Sequence, residues 1–135
     1  MQWPSITGGY LALLALVYAA LAVNVVRLRR QNLAAFGDAG NPALRSAIRS
    51  HGHFAEYVPV IALMVAMLEI SGMAAWRVHL LMAALLVSRL LHPFGMYATP
   101  GTLAFRVGRG GGVTLTLIVL IASAVAILSR ILRGF

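Results

Sequence analysis

The chain has 135 residues, enough for one domain, of which 61% are hydrophobic and 10% charged. A soluble domain averages about 45–50% apolar and about 25% charged residues, so a soluble core is excluded and an all-α integral membrane protein is indicated. The net charge of +8 rests on arginine alone, and the arginines gather at the ends of apolar segments, which favours membrane anchoring, lipid headgroups or an anionic ligand over nucleic acid.

The first predicted span is Ile6–Val26, which carries no charge and a single strongly polar group, Asn24, before Arg27, Arg29 and Arg30 close it. About 20 apolar residues cross a bilayer. With no basic region in front and arginines behind, the segment reads as a retained span rather than a signal peptide. Phe36–Pro42 reads as a loop, with Asn41 as N-cap and Pro42 as first residue of a second helix that runs to about Ile70 and stops at Ser71-Gly72. The apolar part of that helix, Val60–Leu68, is too short to span alone, so the membrane segment extends back through Glu56 and His53. A third helix is expected from about Ala74 to Met96, followed by a Pro100-Gly101 loop. Gly110-Gly111-Gly112 are expected before or at the start of the fourth span, whose apolar part is Val113–Leu128. The result is one four-helix membrane domain with spans at about 6–28, 43–71, 74–97 and 107–132. Arg27, Arg29, Arg30, Arg45, Arg106 and Arg109 lie in or beside loops one and three, against Arg77, Arg130 and Arg133 on the other side. That bias places loops one and three in the cytoplasm.

The most informative stretch is Arg49-Ser-His-Gly-His-Phe-Ala-Glu-Tyr-Val-Pro59. Ionisable groups at membrane depth are costly, which makes them functional candidates. At 3.6 residues per turn Arg45, Arg49, Gly52 and Glu56 fall near one line, with His53 beside it and Tyr57 further round. Such a stripe should face other helices or a watery crevice. An interhelical ion-pair seam with snorkelling arginines is the plainest account. It is short of acids, however: Asp38, Glu56 and Glu69 face eleven cations, and an anion would satisfy the excess. Helix three adds Arg89 and His92 on a shared face, and Pro59 and Pro93 each free a helical carbonyl near these groups. Arg106 alone would be a headgroup anchor and Tyr97 alone an interfacial tyrosine. The histidines make no recognisable metal motif, so no metal is expected, and the absence of cysteine removes thiolate sites and a cysteine nucleophile.

Arg49-x-x-x-His53-x-x-Glu56-Tyr57-x-Pro59 early in helix two, Arg89-x-x-His92 late in helix three and Arg106-Val107-Gly108 opening helix four together resemble the MAPEG family, membrane-associated proteins in eicosanoid and glutathione metabolism. The resemblance covers nearly the whole chain and is to the bacterial-type members. It implies a homotrimer in a bacterial inner membrane, with glutathione bound as co-substrate in crevices between subunits. It nominates Arg49, His53, Glu56 and Tyr57 as glutathione ligands, and Arg106 as the cation that stabilises the thiolate. Arg45, Arg89, His92 and Tyr97 join the candidate binding set. His53 stands where the family commonly has asparagine, and His92-Pro93 where eicosanoid enzymes have a tyrosine, which argues against leukotriene or prostaglandin synthesis. The function expected is that of a glutathione-dependent transferase or peroxidase acting on lipophilic electrophiles, a detoxification role. The alternative is a non-catalytic membrane protein of the same fold that binds anionic lipid or a partner subunit.

Overall fold

The computed structural model describes residues 3–134. Four helices are long and apolar enough to cross a membrane. They are α1 (Ser5–Gln31), α2 (Pro42–Ile70), α3 (Ala75–Tyr97) and α4 (Leu103–Leu132). The shortest, α3, has 23 residues and reaches about 34 Å at 1.5 Å per residue, more than the roughly 30 Å hydrocarbon layer.

The start of α2 follows from its sequence. The Asn41 side chain accepts from the backbone N–H groups of Ala43 and Leu44, and Pro42 needs no acceptor. The first span continues past Val26 to Gln31, so Arg27, Arg29 and Arg30 are helical rather than flanking. Arginine is a good helix former, and Asn32 ends the helix by donating its amide to the Leu28 carbonyl. The fourth helix departs further from expectation. It begins at Leu103, where Thr102 Oγ1 accepts from the Phe105 N–H, and Gly110-Gly111-Gly112 lie inside it. Residues Arg106–Gly111 form a π-helical turn before α-helix resumes at Gly112.

Helices α2 and α3 form the central pair, and each packs on both outer helices; among the described residues α1 and α4 do not touch. The core is Leu14 of α1, Phe54, Val58, Ile61 and Val65 of α2, Val78, Met82 and Leu85 of α3, and Val119 of α4. Helix α1 buries only Thr7 and Leu14 and leaves Leu11, Leu13, Leu16 and Val23 exposed, as a lipid-facing helix would. Its first turn has no cap of its own. The Glu69 carboxylate from the far end of α2 supplies one, accepting from the Ile6 and Thr7 N–H groups at 2.9 and 2.8 Å and from Thr7 Oγ1 at 2.7 Å.

The α3–α4 contact brings backbone against backbone. A Cβ on Gly108 would lie 2.5 Å from Gly95 Cα, one on Gly112 would lie 3.1 Å from the Ser88 carbonyl oxygen, and one on Gly95 would collide with the Arg109 backbone nitrogen. Gly108 and Gly112 are four apart, the spacing that lets membrane helices approach closely. This contact outweighs the poor helix propensity of the glycine run and explains why the helix continues through it.

Candidate functional site

The core face of α2 fixes where its polar residues go. Phe54, Val58, Ile61 and Val65 point inward. At about 100° per residue, Arg45, Arg49, Gly52 and Glu56 fall on the opposite side. Arg45, Arg49 and Glu56 are accordingly exposed and Gly52 is half-buried. The stripe that should face other helices therefore lies on the outside of the four-helix unit, with no helix of the same chain covering it.

His53 links this outer face to the interior. Arg49 Nη2 donates to His53 Nε2 at 3.0 Å, and the His53 ring lies parallel to Tyr57 at 6.2 Å between centroids. On its other side His53 meets His92 of α3, ring centroids 5.0 Å apart. His51, two residues earlier, turns the other way and stacks on Tyr18 of α1 at 4.6 Å.

Behind the histidines sits Arg89, 2% exposed. It donates to the His53 carbonyl at 3.2 Å, to Ser88 Oγ at 3.3 Å and to Thr116 Oγ1 of α4. Thr116 Oγ1 in turn donates to the Gly112 carbonyl at 2.7 Å. A buried guanidinium tolerates its surroundings only when its donors are engaged. Here these acceptors bind α2, α3 and α4 together directly beneath His53. Among the described residues no carboxylate pairs with Arg89, so its charge adds to that of Arg49 near the two histidines.

The remaining candidates are spread around this group. Arg45 is an exposed residue ion-paired with Asp38 at 2.5 Å. Together with Gly37, Ile48 and Arg49 the pair lines a shallow cavity of about 370 Å³. The Arg45 guanidinium holds the Asp38 carboxyl below its usual range, aided by the Gly40 N–H. Tyr97 is half exposed, and its hydroxyl accepts from Asn24 of α1 at 3.0 Å, where Arg27 in turn donates to Asn24 at 2.9 Å. Arg106 is exposed at the first position of the π-helical turn. Its neighbour Arg109, in the same π-helical turn, is also exposed and lies with its guanidinium 5.4 Å from the centre of the Phe105 ring. π-helical turns recur at functional sites because they re-aim side chains.

Three features were not legible as motifs: the Ser88–Arg89–Thr116 network, the Glu69 cap and the Gly95–Gly108 contact. The Gly108-x-x-x-Gly112 spacing was a usable signal for the last. An apolar groove of about 580 Å³ also runs between α1 and α2, past Leu11, Tyr18, Phe54, Pro59 and Leu63. It starts at the level of the histidines and is almost wholly hydrocarbon.

The sequence profile of the MAPEG family matches residues 7–129. The chain belongs to the MAPEG family. It is 40% identical over 88 residues to the inner membrane protein YecN of Escherichia coli strain K12, covering 65% of this chain and 67% of YecN. The YecN protein of Escherichia coli O6:H1 strain CFT073 matches to the same extent. No solved structure matches the chain. As a MAPEG member the chain is a membrane protein, and its four hydrophobic helices are the spans.

Proposed function

We propose that this chain is a membrane-bound glutathione-dependent transferase or peroxidase acting on lipophilic electrophiles, and that it works as a homotrimer in a bacterial inner membrane with loops one and three cytoplasmic. The observation that carries the reading is the outward face of α2. It presents one carboxylate, Glu56, beside Arg49 and His53, with Arg89 behind His53. Glutathione carries two carboxylates, one ammonium and a thiol. Arginine's planar fork matches a carboxylate with two parallel bonds, and Glu56 is the acid for the ammonium. Tyr57 and His53 add hydrogen-bonding groups beside them.

The same face supports assembly with further copies, and the number three is what the MAPEG resemblance implies. Charged residues on the outside of a membrane helix are costly in lipid, and a neighbouring copy would cover them and complete the crevice. The similarity to YecN, whose name states an inner membrane location, supports the placement.

In the proposed reaction Arg106 lowers the pKa of the glutathione thiol, ordinarily about 8.5, by stabilising its anion. The thiolate sulfur attacks an electrophilic carbon, a carbon–sulfur bond forms, the leaving group departs as an anion, and the thiol proton passes to water. With a lipid hydroperoxide, two glutathiones are oxidised to the disulfide while the hydroperoxide is reduced to alcohol and water. The α1–α2 groove offers the apolar half of the site to the electrophile. No protein nucleophile is needed, which suits a chain without cysteine.

The test is conjugation of glutathione to a generic aromatic electrophile by the purified protein in detergent. Activity that depends on Glu56, together with thiolate absorbance that drops in Arg106→Ala, is the expected result. Purified protein without conjugation or peroxidase activity, retaining lipid or a partner instead, supports the non-catalytic alternative.

A further inference from the structure

The end of the molecule opposite the Arg49–Tyr57 face holds a second concentration of arginine. A cavity of about 290 Å³ opens where the α2–α3 loop, the first turn of α3 and the last turns of α4 converge, lined by Met73, Arg77, Ala126, Ser129, Arg130 and Arg133. Three guanidiniums and a hydroxyl meet there, and among the described residues no carboxylate does. The three acids of the chain are all engaged or elsewhere. Asp38 is paired with Arg45, Glu69 accepts from Ile6 and Thr7, and Glu56 lies on the other face. In a second copy of the chain the carboxylate side chain left open is Glu56, which lies on the α2 face at the other end of the molecule.

Two of the cations are held in place. Arg130 donates to the Ser71 carbonyl and, at 2.9 Å, to Ser71 Oγ. The Arg77 guanidinium lies 5.1 Å from the centre of the Trp76 ring, and Trp76 is largely exposed, as at a membrane–water boundary. Ordinary explanations cover only part of the cluster. The α4 dipole favours Arg130 and Arg133 at its C-terminal end, but Arg77 sits in the first turn of α3, where the dipole disfavours a cation. Snorkelling arginines spread toward headgroups; these converge on one cavity instead.

On the other side of Arg130 lies an apolar slot of about 90 Å³ between α2 and α4, formed by Met67, Leu68, Ile127 and Ile131 with Ser71. A free anion would use the basic cavity alone, whereas an amphiphile would use both. The basic cavity has room for about ten water volumes of roughly 30 Å³ each, sufficient for a phosphate with a small polar headgroup. We propose that Arg77, Arg130 and Arg133 form a binding site for an anionic phospholipid, with its phosphate in the basic cavity and the first few methylenes of an acyl chain in the Met67–Ile131 slot. The site is separate from the α2 face and does not depend on the reading given to that face.

The experiment is native mass spectrometry of the delipidated protein in non-ionic detergent, titrated with dioleoylphosphatidylglycerol, dioleoylphosphatidylcholine or inorganic phosphate. Discrete, saturable phosphatidylglycerol adducts, tighter than phosphatidylcholine, are expected. Arg77→Gln/Arg133→Gln should weaken them about 30-fold, at roughly fivefold per arginine near a membrane surface, while Arg27→Gln/Arg30→Gln at the other end leaves them unchanged. Arg130 is kept because it anchors the end of α2; if the double variant does not fold, each single variant should cost about fivefold. Equal binding of the two lipids overturns the proposal. So does phosphatidylglycerol binding unaffected by the Arg77 and Arg133 substitutions, or full displacement by inorganic phosphate with no advantage for the lipid.

Discussion

Glu56 and Glu69 are the same residue type on the same helix, yet they stand in opposite circumstances. Glu69 accepts three hydrogen bonds from the first turn of α1 and has the role of a cap. Glu56 is exposed on the outer face of α2 and, among the described residues, accepts no hydrogen bond. One carboxylate is consumed by the fold, and the other is left for something outside the subunit. The contrast extends to the arginines. Arg89 is locked among Ser88, Thr116 and the His53 carbonyl, while Arg49 is exposed and, among the described residues, hydrogen-bonds through its side chain to His53 alone. Structure and function are thus separated by which groups the subunit itself satisfies.

The scaffold half of this comparison is tested hardest at the α3–α4 contact. Gly95→Ala places a methyl against the Arg109 backbone, which has no flexible side chain to yield. It should cost about 3 kcal/mol or more, read as loss of cooperative thermal unfolding and of a monodisperse elution peak. Normal unfolding would remove the close contact that carries the helix through the glycine run.

The two glutamates give a crossed test. Glu69→Ala should lower stability by about 2 kcal/mol through the lost α1 cap and leave glutathione affinity intact. Glu56→Ala should leave unfolding within about 0.5 kcal/mol of the parent and weaken glutathione at least tenfold, as expected when a charged hydrogen bond is lost. Thermal unfolding and calorimetry on both variants decide this; a reversed pattern would exchange their roles.

Much of this division was readable in advance. The Asn41-Pro42 start and the shared face of Arg45, Arg49 and Glu56 follow from capping chemistry and helical period, whereas the place of that face on the outside of the subunit does not. What was not readable depends on contacts distant in sequence. Glu69 meets Thr7 across 62 positions, and Arg89 meets Thr116 across 27. No local pattern encodes such pairs. The glycine run misled because its low helix propensity was weighed alone, although the Gly108-x-x-x-Gly112 spacing pointed to a close interhelical approach. The motif likewise singled out Arg106, and no local pattern showed that Arg106 and Arg109 would share a π-helical turn.

Smaller effects sharpen the boundary between the two classes. Tyr97→Phe breaks the Asn24 bond and should cost about 0.6 kcal/mol, the average for hydrogen bonds between membrane helices. If glutathione affinity also falls, Tyr97 belongs to the open face as well as to the scaffold. The Asp38–Arg45 pair should matter least, being solvent-exposed and screened. Its carboxyl is depressed in the folded state, so any stabilisation is fully present above the unfolded value of about 3.9 and is lost as pH falls through the folded value. Asp38→Asn should therefore match the parent in acid and differ slightly, if at all, near neutrality, as a pH series of thermal unfolding would report.

The central claim is that the outward face of α2 is a glutathione site, and calorimetric titration of the purified protein with glutathione tests it most directly. Saturable heat that shrinks in Glu56→Ala and Arg49→Ala, both still folded, is the predicted result. A folded parent protein that gives neither heat nor thermal shift at millimolar glutathione would contradict the account.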